Sequence, residues 1–135
     1  MVFIVAEIGV NWDGSFELAE VLIKNAKKVG FDAVKFQAFD ENIVKDHPES
    51  KRLMQSSISQ SNVNKINKIS REIDMEWFCT PMYADAVNFL EPFVNRYKIR
   101  ELDGQPLLKN DSTSLIEKVL ETGKDVFVSS NSSPK

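Results

Sequence analysis

Short apolar runs rich in β-branched and aromatic residues alternate along the chain with segments whose apolar positions fall three and four residues apart. This pattern predicts βα units built around a parallel sheet. Val2–Ala6 is the first such run and reads as a strand. The turn residues Asn11-Trp12-Asp13-Gly14 follow, and Ser15 is placed to cap a helix that carries Leu18, Val21, Leu22, Ala26 and Val29 and is closed by Gly30. Asp32–Gln37 reads as the second strand. From Asp40 to about Ser59 the chain is polar, with Pro48 inside it, and predicts a long connection. Val63, Ile66, Ile69 and Ile73 mark the next helix, and Glu76–Cys79 the third strand, ended by Thr80-Pro81. A short helix over Ala84–Leu90 leads to strand Tyr97–Ile99. A helix from Ser112 to Gly123 carries Leu115, Ile116, Val119 and Leu120, and Val126–Ser129 is the fifth strand.

The order βαβαβαβαβ suits either an open doubly wound sheet or the first part of an eight-stranded barrel. Glu7-Ile8-Gly9-Val10-Asn11, just after the first strand, fits neither the dinucleotide fingerprint nor the P-loop, which weakens a nucleotide-binding reading. A chain of 135 residues has room for one cooperative unit. Its balance of 42% hydrophobic and 27% charged residues is that of a globular protein and argues against a disordered tail. The net charge of -3, without a cluster of Lys and Arg, argues against nucleic acid as a partner. Cys79 is the one cysteine, so no internal disulfide framework exists, which suits a reducing cytoplasm. His47 is the one histidine, so no multi-histidine metal site can be built from these residues. The apolar start meets Glu7 too early for a signal peptide, and no run approaches membrane-spanning length, so no membrane partner is expected.

Successive strand residues point to opposite faces. If Val5 faces inward, so does Glu7; Lys35 shares a face with Gln37, Thr80 with Phe78, Lys98 with Arg100, and Ser129 with Phe127. Each of the five strands therefore ends in a group that can ionise or hydrogen-bond, at the carboxyl edge where parallel α/β folds bind ligands. Two lysines and a carboxylate in one inward-facing layer are costly to bury without a counter-ion or a purpose. Lys35 and Lys98, with the hydroxyls of Thr80 and Ser129, suit a ligand carrying phosphate or carboxylate. Glu7 is placed to act as an acid, a base or a hydroxyl acceptor.

Ala6-Glu7-Ile8-Gly9-Val10-Asn11-Trp12-Asp13-Gly14, Asp32-Ala33-Val34-Lys35-Phe36-Gln37, Thr80-Pro81-Met82 and Tyr97-Lys98-Ile99 together resemble the sialic acid synthase (N-acetylneuraminate synthase) family. The motifs run in family order over nearly the whole chain and cover the amino-terminal part of that family's catalytic domain. The resemblance implies an α/β fold that is the first half of a TIM-type (β/α)8 barrel. It also implies condensation of phosphoenolpyruvate with N-acetylmannosamine or a related N-acetylated amino sugar, aided by a divalent metal, manganese or magnesium. By resemblance Lys35, Thr80, Lys98 and Ser129 lie where the family holds phosphoenolpyruvate, and Glu7 and Gln37 lie near the reacting centre and the sugar. Asp103 matches a family acidic residue that would contact the sugar or assist proton transfer.

This chain also departs from the family pattern. Trp12 stands where the family usually has histidine, and near the site it could stack on a sugar face. Glu101 replaces a phosphate-binding serine, which would repel phosphate unless Arg100 compensates, and Ser129-Ser130-Asn131-Ser132 replaces Ser-Thr-Gly-Met. The family's metal-binding histidines have no counterpart here, and a whole barrel needs roughly 250 residues. Three arrangements would complete it: a truncated chain whose other half is missing, a homodimer, or a partner chain. Ending within a family motif favours truncation. The expectation is thus an enzyme portion that is inactive alone, and the alternative is a half-barrel anion-binding or interaction module without catalysis. A different phosphoenolpyruvate-using barrel, such as a sugar-acid phosphate synthase, matches the motifs less well.

Overall fold

The structure, a computed structural model, describes residues 1–131, so Ser132 of the last motif lies outside the described residues. Five strands, β1 (Val5–Gly9), β2 (Ala33–Ala38), β3 (Glu76–Pro81), β4 (Arg96–Ile99) and β5 (Asp125–Val128), form one sheet in the order β1-β2-β3-β4-β5. Every neighbouring pair is parallel. A doubly wound sheet reverses its strand order at a switch point, and this sheet has none. Consecutive parallel strands with helices covering one face make the first part of a (β/α)8 barrel, with β1 and β5 as its open edges.

The helices form where polar caps and apolar stripes coincide. Helix α1 (Phe16–Val29) starts at Ser15, whose hydroxyl accepts from the Leu18 N–H at 3.2 Å, and ends at Gly30, left-handed at φ 102°. The polar connection after β2 contains two short helices, α2 (Glu41–Val44) and α3 (Ser50–Gln55), too brief to show periodicity. Then come α4 (Val63–Ile73) and α5 (Ala84–Leu90). Beyond β4 lie a short helix, α6 (Glu101–Gly104), and a 3-10 helix over Gln105–Lys109. Helix α7 (Ser114–Glu121) starts two residues later than the predicted Ser112 and is capped by Thr113.

The core lies between the sheet and these helices. Val34, Phe36, Trp77, Cys79, Tyr97 and Ile99 from the outer face of the sheet meet Ile23 of α1, Ile66 of α4, Leu90 of α5 and Ile116 of α7. Cys79 is completely buried, and desolvation pushes its thiol well above the ordinary cysteine value. Cys79 should therefore resist alkylation in the folded protein and react only on unfolding, as a denaturant series with iodoacetamide and mass detection would show. Cys79→Ala should change stability alone.

Strand β1 begins later than the apolar run suggests. Val2 and Ile4 are exposed, while the strand continues through Glu7 to Gly9. Glu7 remains in the strand because its side chain faces the inner surface, where it is paired. The register shifts between Glu7 and Gly9, a bulge with Gly9 left-handed at φ 56°, and a Cβ on Gly9 would come within 3.0 Å of the Glu7 carboxylate.

Candidate functional site

Among the described residues the helices pack on the outer face of the sheet, and polar groups gather on its inner face at the carboxyl edge. Lys35 stands opposite Glu7 in the β1–β2 register, and its Nζ lies 2.5 Å from Glu7 Oε2. The same ammonium donates to Thr80 Oγ1 at 2.7 Å, on the next strand. Lys35 is only 13% exposed in its side chain, whereas Glu7 reaches water at 48%. The carboxylate and the buried hydroxyl together offset the cost of holding the ammonium out of water.

Lys98 differs. It is half-buried, and its ammonium has no ion pair or hydrogen bond among the described residues. With Lys35 it lines a cleft of about 380 Å³ whose other walls include Val5, Phe78, Phe3 and Phe127. Apolar walls strengthen the field of an uncompensated ammonium, so the cleft presents a directed positive charge to small anions. Gln37 sits beside Glu7, since a Cβ built on Gly9 would contact both side chains.

Two predicted site residues lie elsewhere. Ser129 lines a small recess with Glu101, Gly104 and Gln105, apart from the Lys35–Lys98 cleft, and its N–H donates to the Ile99 carbonyl. Asp103 is held by Arg100, with Arg100 Nε 2.5 Å from Oδ2 and Nη2 3.3 Å from Oδ1. Glu101 accepts from Gln105 Nε2 at 2.9 Å and borders the outer recess, so its carboxylate does not line the cleft.

The option that Trp12 stacks on a sugar face is closed by its burial. Trp12 is 1% exposed on the helix side of the sheet, packed against Phe16 and edge-on to Phe36. Its indole N–H donates to the Ser56 carbonyl at 2.9 Å. Next to it Asp13 pairs with Arg52, whose hydrogen bonds hold the Asp13 carboxyl below its ordinary value. That depressed value makes the pair's small contribution one present at neutral pH and lost as pH falls through the folded-state pKa. His47 is exposed and accepts from the Glu49 N–H, as suits a loop imidazole.

The foot of the inner face holds a pair that periodicity alone did not reveal. Arg96 contacts Glu76 through Nε at 2.7 Å and Nη2 at 3.2 Å, and its guanidinium lies 4.3 Å above the Phe3 ring. Phe3 stacks with Phe127 at 6.2 Å between ring centroids, closing the amino end beneath the cleft. The signal was present as parity, because Arg96 precedes Lys98 by two residues on one strand.

Among the described residues no group of three or more His, Cys, Asp or Glu could hold a metal ion. These residues therefore do not fit the divalent metal implied by resemblance. No helix among them is long and apolar enough to cross a membrane.

Comparison with known proteins follows the same outline. N,N'-diacetyllegionaminic acid synthase of Legionella pneumophila is 28% identical over 90% of this chain and 39% of its own length. An uncharacterised protein of Methanocaldococcus jannaschii is 31% identical over 97% of the chain and 38% of its own length. A solved N-acetylneuraminic acid synthetase from Leptospira borgpetersenii, in complex with citrate, superposes with a TM-score of 0.82 at 25% identity, covering 98% of this chain and 46% of that one. The chain thus spans under half the length of these relatives. Residues 22–133 match the NeuB family profile, and the chain belongs to the NeuB family.

Proposed function

We propose that this chain is the phosphoenolpyruvate-facing part of a sialic acid synthase-like enzyme, which joins phosphoenolpyruvate to N-acetylmannosamine or a related N-acetylated amino sugar. The observation that carries the reading is the Lys35–Lys98 cleft, with Lys98 uncompensated at the carboxyl edge of the sheet. Lys98 supplies attraction for the anion, and Lys35, steadied by Glu7 and Thr80, supplies a directed N–H donor. Citrate in the Leptospira relative is a small polyanion of the same charge class, which supports an anion site in this family. In the proposed reaction the methylene carbon of phosphoenolpyruvate bonds to the sugar carbonyl carbon, water adds at the enol carbon, and phosphate leaves. Glu7, half exposed beside the cleft, is the proposed proton-handling group, and Gln37 next to it the proposed sugar contact.

The divalent metal, manganese or magnesium, is assigned to residues beyond this chain, as is the rest of the barrel. The open edges at β1 and β5 favour a second reading, a half-barrel anion-binding module that does no chemistry until completed by a second copy or a partner. Anion binding without turnover in the presence of manganese supports that reading, and phosphoenolpyruvate-dependent loss of N-acetylmannosamine supports the enzyme. Lys35→Ala and Lys98→Ala should each abolish thermal stabilisation by phosphoenolpyruvate, worth about 2.7 kcal/mol at a hundredfold excess over Kd. Unchanged stabilisation in both variants would remove the anion-site assignment.

A further inference from the structure

We propose that a cleft at the amino end of β3 and β4 is a second binding site, which takes an N-acylated sugar acid, the class of product that the proposed reaction would release. The choice of ligand rests on that reaction, and the cleft itself does not. It has a volume of about 340 Å³, within the range of small-molecule sites. Its walls come from Asn67 and Arg71 of α4, from the residues leading into β3, and from Asn95 just before β4. Both strands have neighbours on either side, so the cleft is not at the open edges where further barrel strands would attach. Glu76 in its wall and Thr80 beside Lys35 stand at opposite ends of β3, roughly 13 Å apart.

The cleft keeps unspent donors. Asn67 and Arg71 stand about one helical turn apart on the same face of α4. The Asn67 side-chain oxygen accepts from the Trp77 indole N–H at 3.0 Å, and its amide N–H groups have no partner among the described residues. Neither the Arg71 guanidinium nor the Asn95 side chain has a hydrogen bond or ion pair among those residues, and both residues are exposed. Two carboxylates share the walls, and each has a cation of its own. Arg96 holds Glu76 through Nε and Nη2, while Lys27 lies 3.7 Å from Asp74, whose side chain is turned to water at 99% exposure. Arg71 is therefore the unmatched charge of the cleft among the described residues, and its planar fork suits a carboxylate. Carboxamides both donate and accept, as an N-acyl group and sugar hydroxyls require. Met75, Trp77 and Phe93 add apolar surface for the acyl methyl and the sugar ring. Inorganic phosphate would use the guanidinium and leave the rest idle, so the donor set favours the larger acid.

Nuclear magnetic resonance of the isotope-labelled chain tests this, because its two tryptophans give separate indole N–H signals and only Trp77 borders the cleft. N-acetylneuraminate should shift the Trp77 signal and leave that of Trp12, packed against Phe16, in place. Trp12→Phe identifies which signal is which. Arg71→Gln should weaken binding about tenfold and Asn95→Ala about threefold; both residues are exposed, so neither change threatens folding. N-acetylmannosamine, which lacks the carboxylate, and inorganic phosphate should each bind at least about tenfold more weakly. No shift, a shift at Trp12 only, equal binding of either comparison ligand, or unchanged affinity in Arg71→Gln overturns the proposal. Lys98→Ala and excess phosphoenolpyruvate separate the two sites, since neither should alter the Trp77 shift. Its loss with either would place the ligand at the carboxyl edge and remove the second site. If phosphoenolpyruvate does not bind while the Trp77 shift persists and depends on Arg71, the proposed reaction falls and the second acid site stands.

Discussion

Trp12→Ala should destabilise the chain by about 3–5 kcal/mol, the cost of emptying a large buried aromatic site. Trp12 is 1% exposed, touches Phe16 and Phe36, and ties the turn after β1 to the segment after α3 through its hydrogen bond to Ser56. Truncation removes the ring and also leaves the buried Ser56 carbonyl without its indole donor. Trp12→Phe should recover most of the packing and lose only about 1–2 kcal/mol for the missing N–H. Urea unfolding followed by circular dichroism measures both. A loss below about 1 kcal/mol in the alanine variant would mean that the indole does not anchor the core. Histidine, the usual family residue at this place by resemblance, would fill the site poorly, so restoring it here should not gain stability.

Gly14→Ala should cost about 2–4 kcal/mol, well above the roughly 1 kcal/mol expected for Gly30→Ala. Both glycines are left-handed, Gly14 at φ 72° and Gly30 at φ 102°, so both substitutions strain the backbone. They differ in surroundings. A Cβ at Gly14 would come within 2.6 Å of the Gln55 carbonyl oxygen, which is backbone and cannot swing aside, whereas nothing lies within 4 Å of one at Gly30. The difference between the two variants isolates the close docking of the β1 turn on α3. Equal losses would mean that the turn can shift without penalty.

Element types were largely legible because α1, α4 and α7 carry strong apolar stripes, with side-chain caps on α1 and α7, and because parity gathered Glu7, Lys35 and Lys98 on one face. The cleft with its paired and unpaired lysines follows from that parity. The start of β1 was misread because apolar content was taken as the strand signal, while inside a barrel a strand stays regular through a paired Glu7. The place of Trp12 was not legible, because nearness to a site in sequence does not fix the side of the sheet that a side chain enters. Asp103 and Ser129 depend on the turn over 101–109, whose short helices have no period to read, so their partners could not be foreseen.

Consecutive strand order has a consequence for how the chain acquires its structure. Each strand bonds only to those adjacent to it in sequence, so every new βα unit leaving a ribosome finds its template already made. Assembly can proceed vectorially, one unit docking on the last, and a nascent chain stalled after β3 should already shelter Trp12 and Phe36 from proteases.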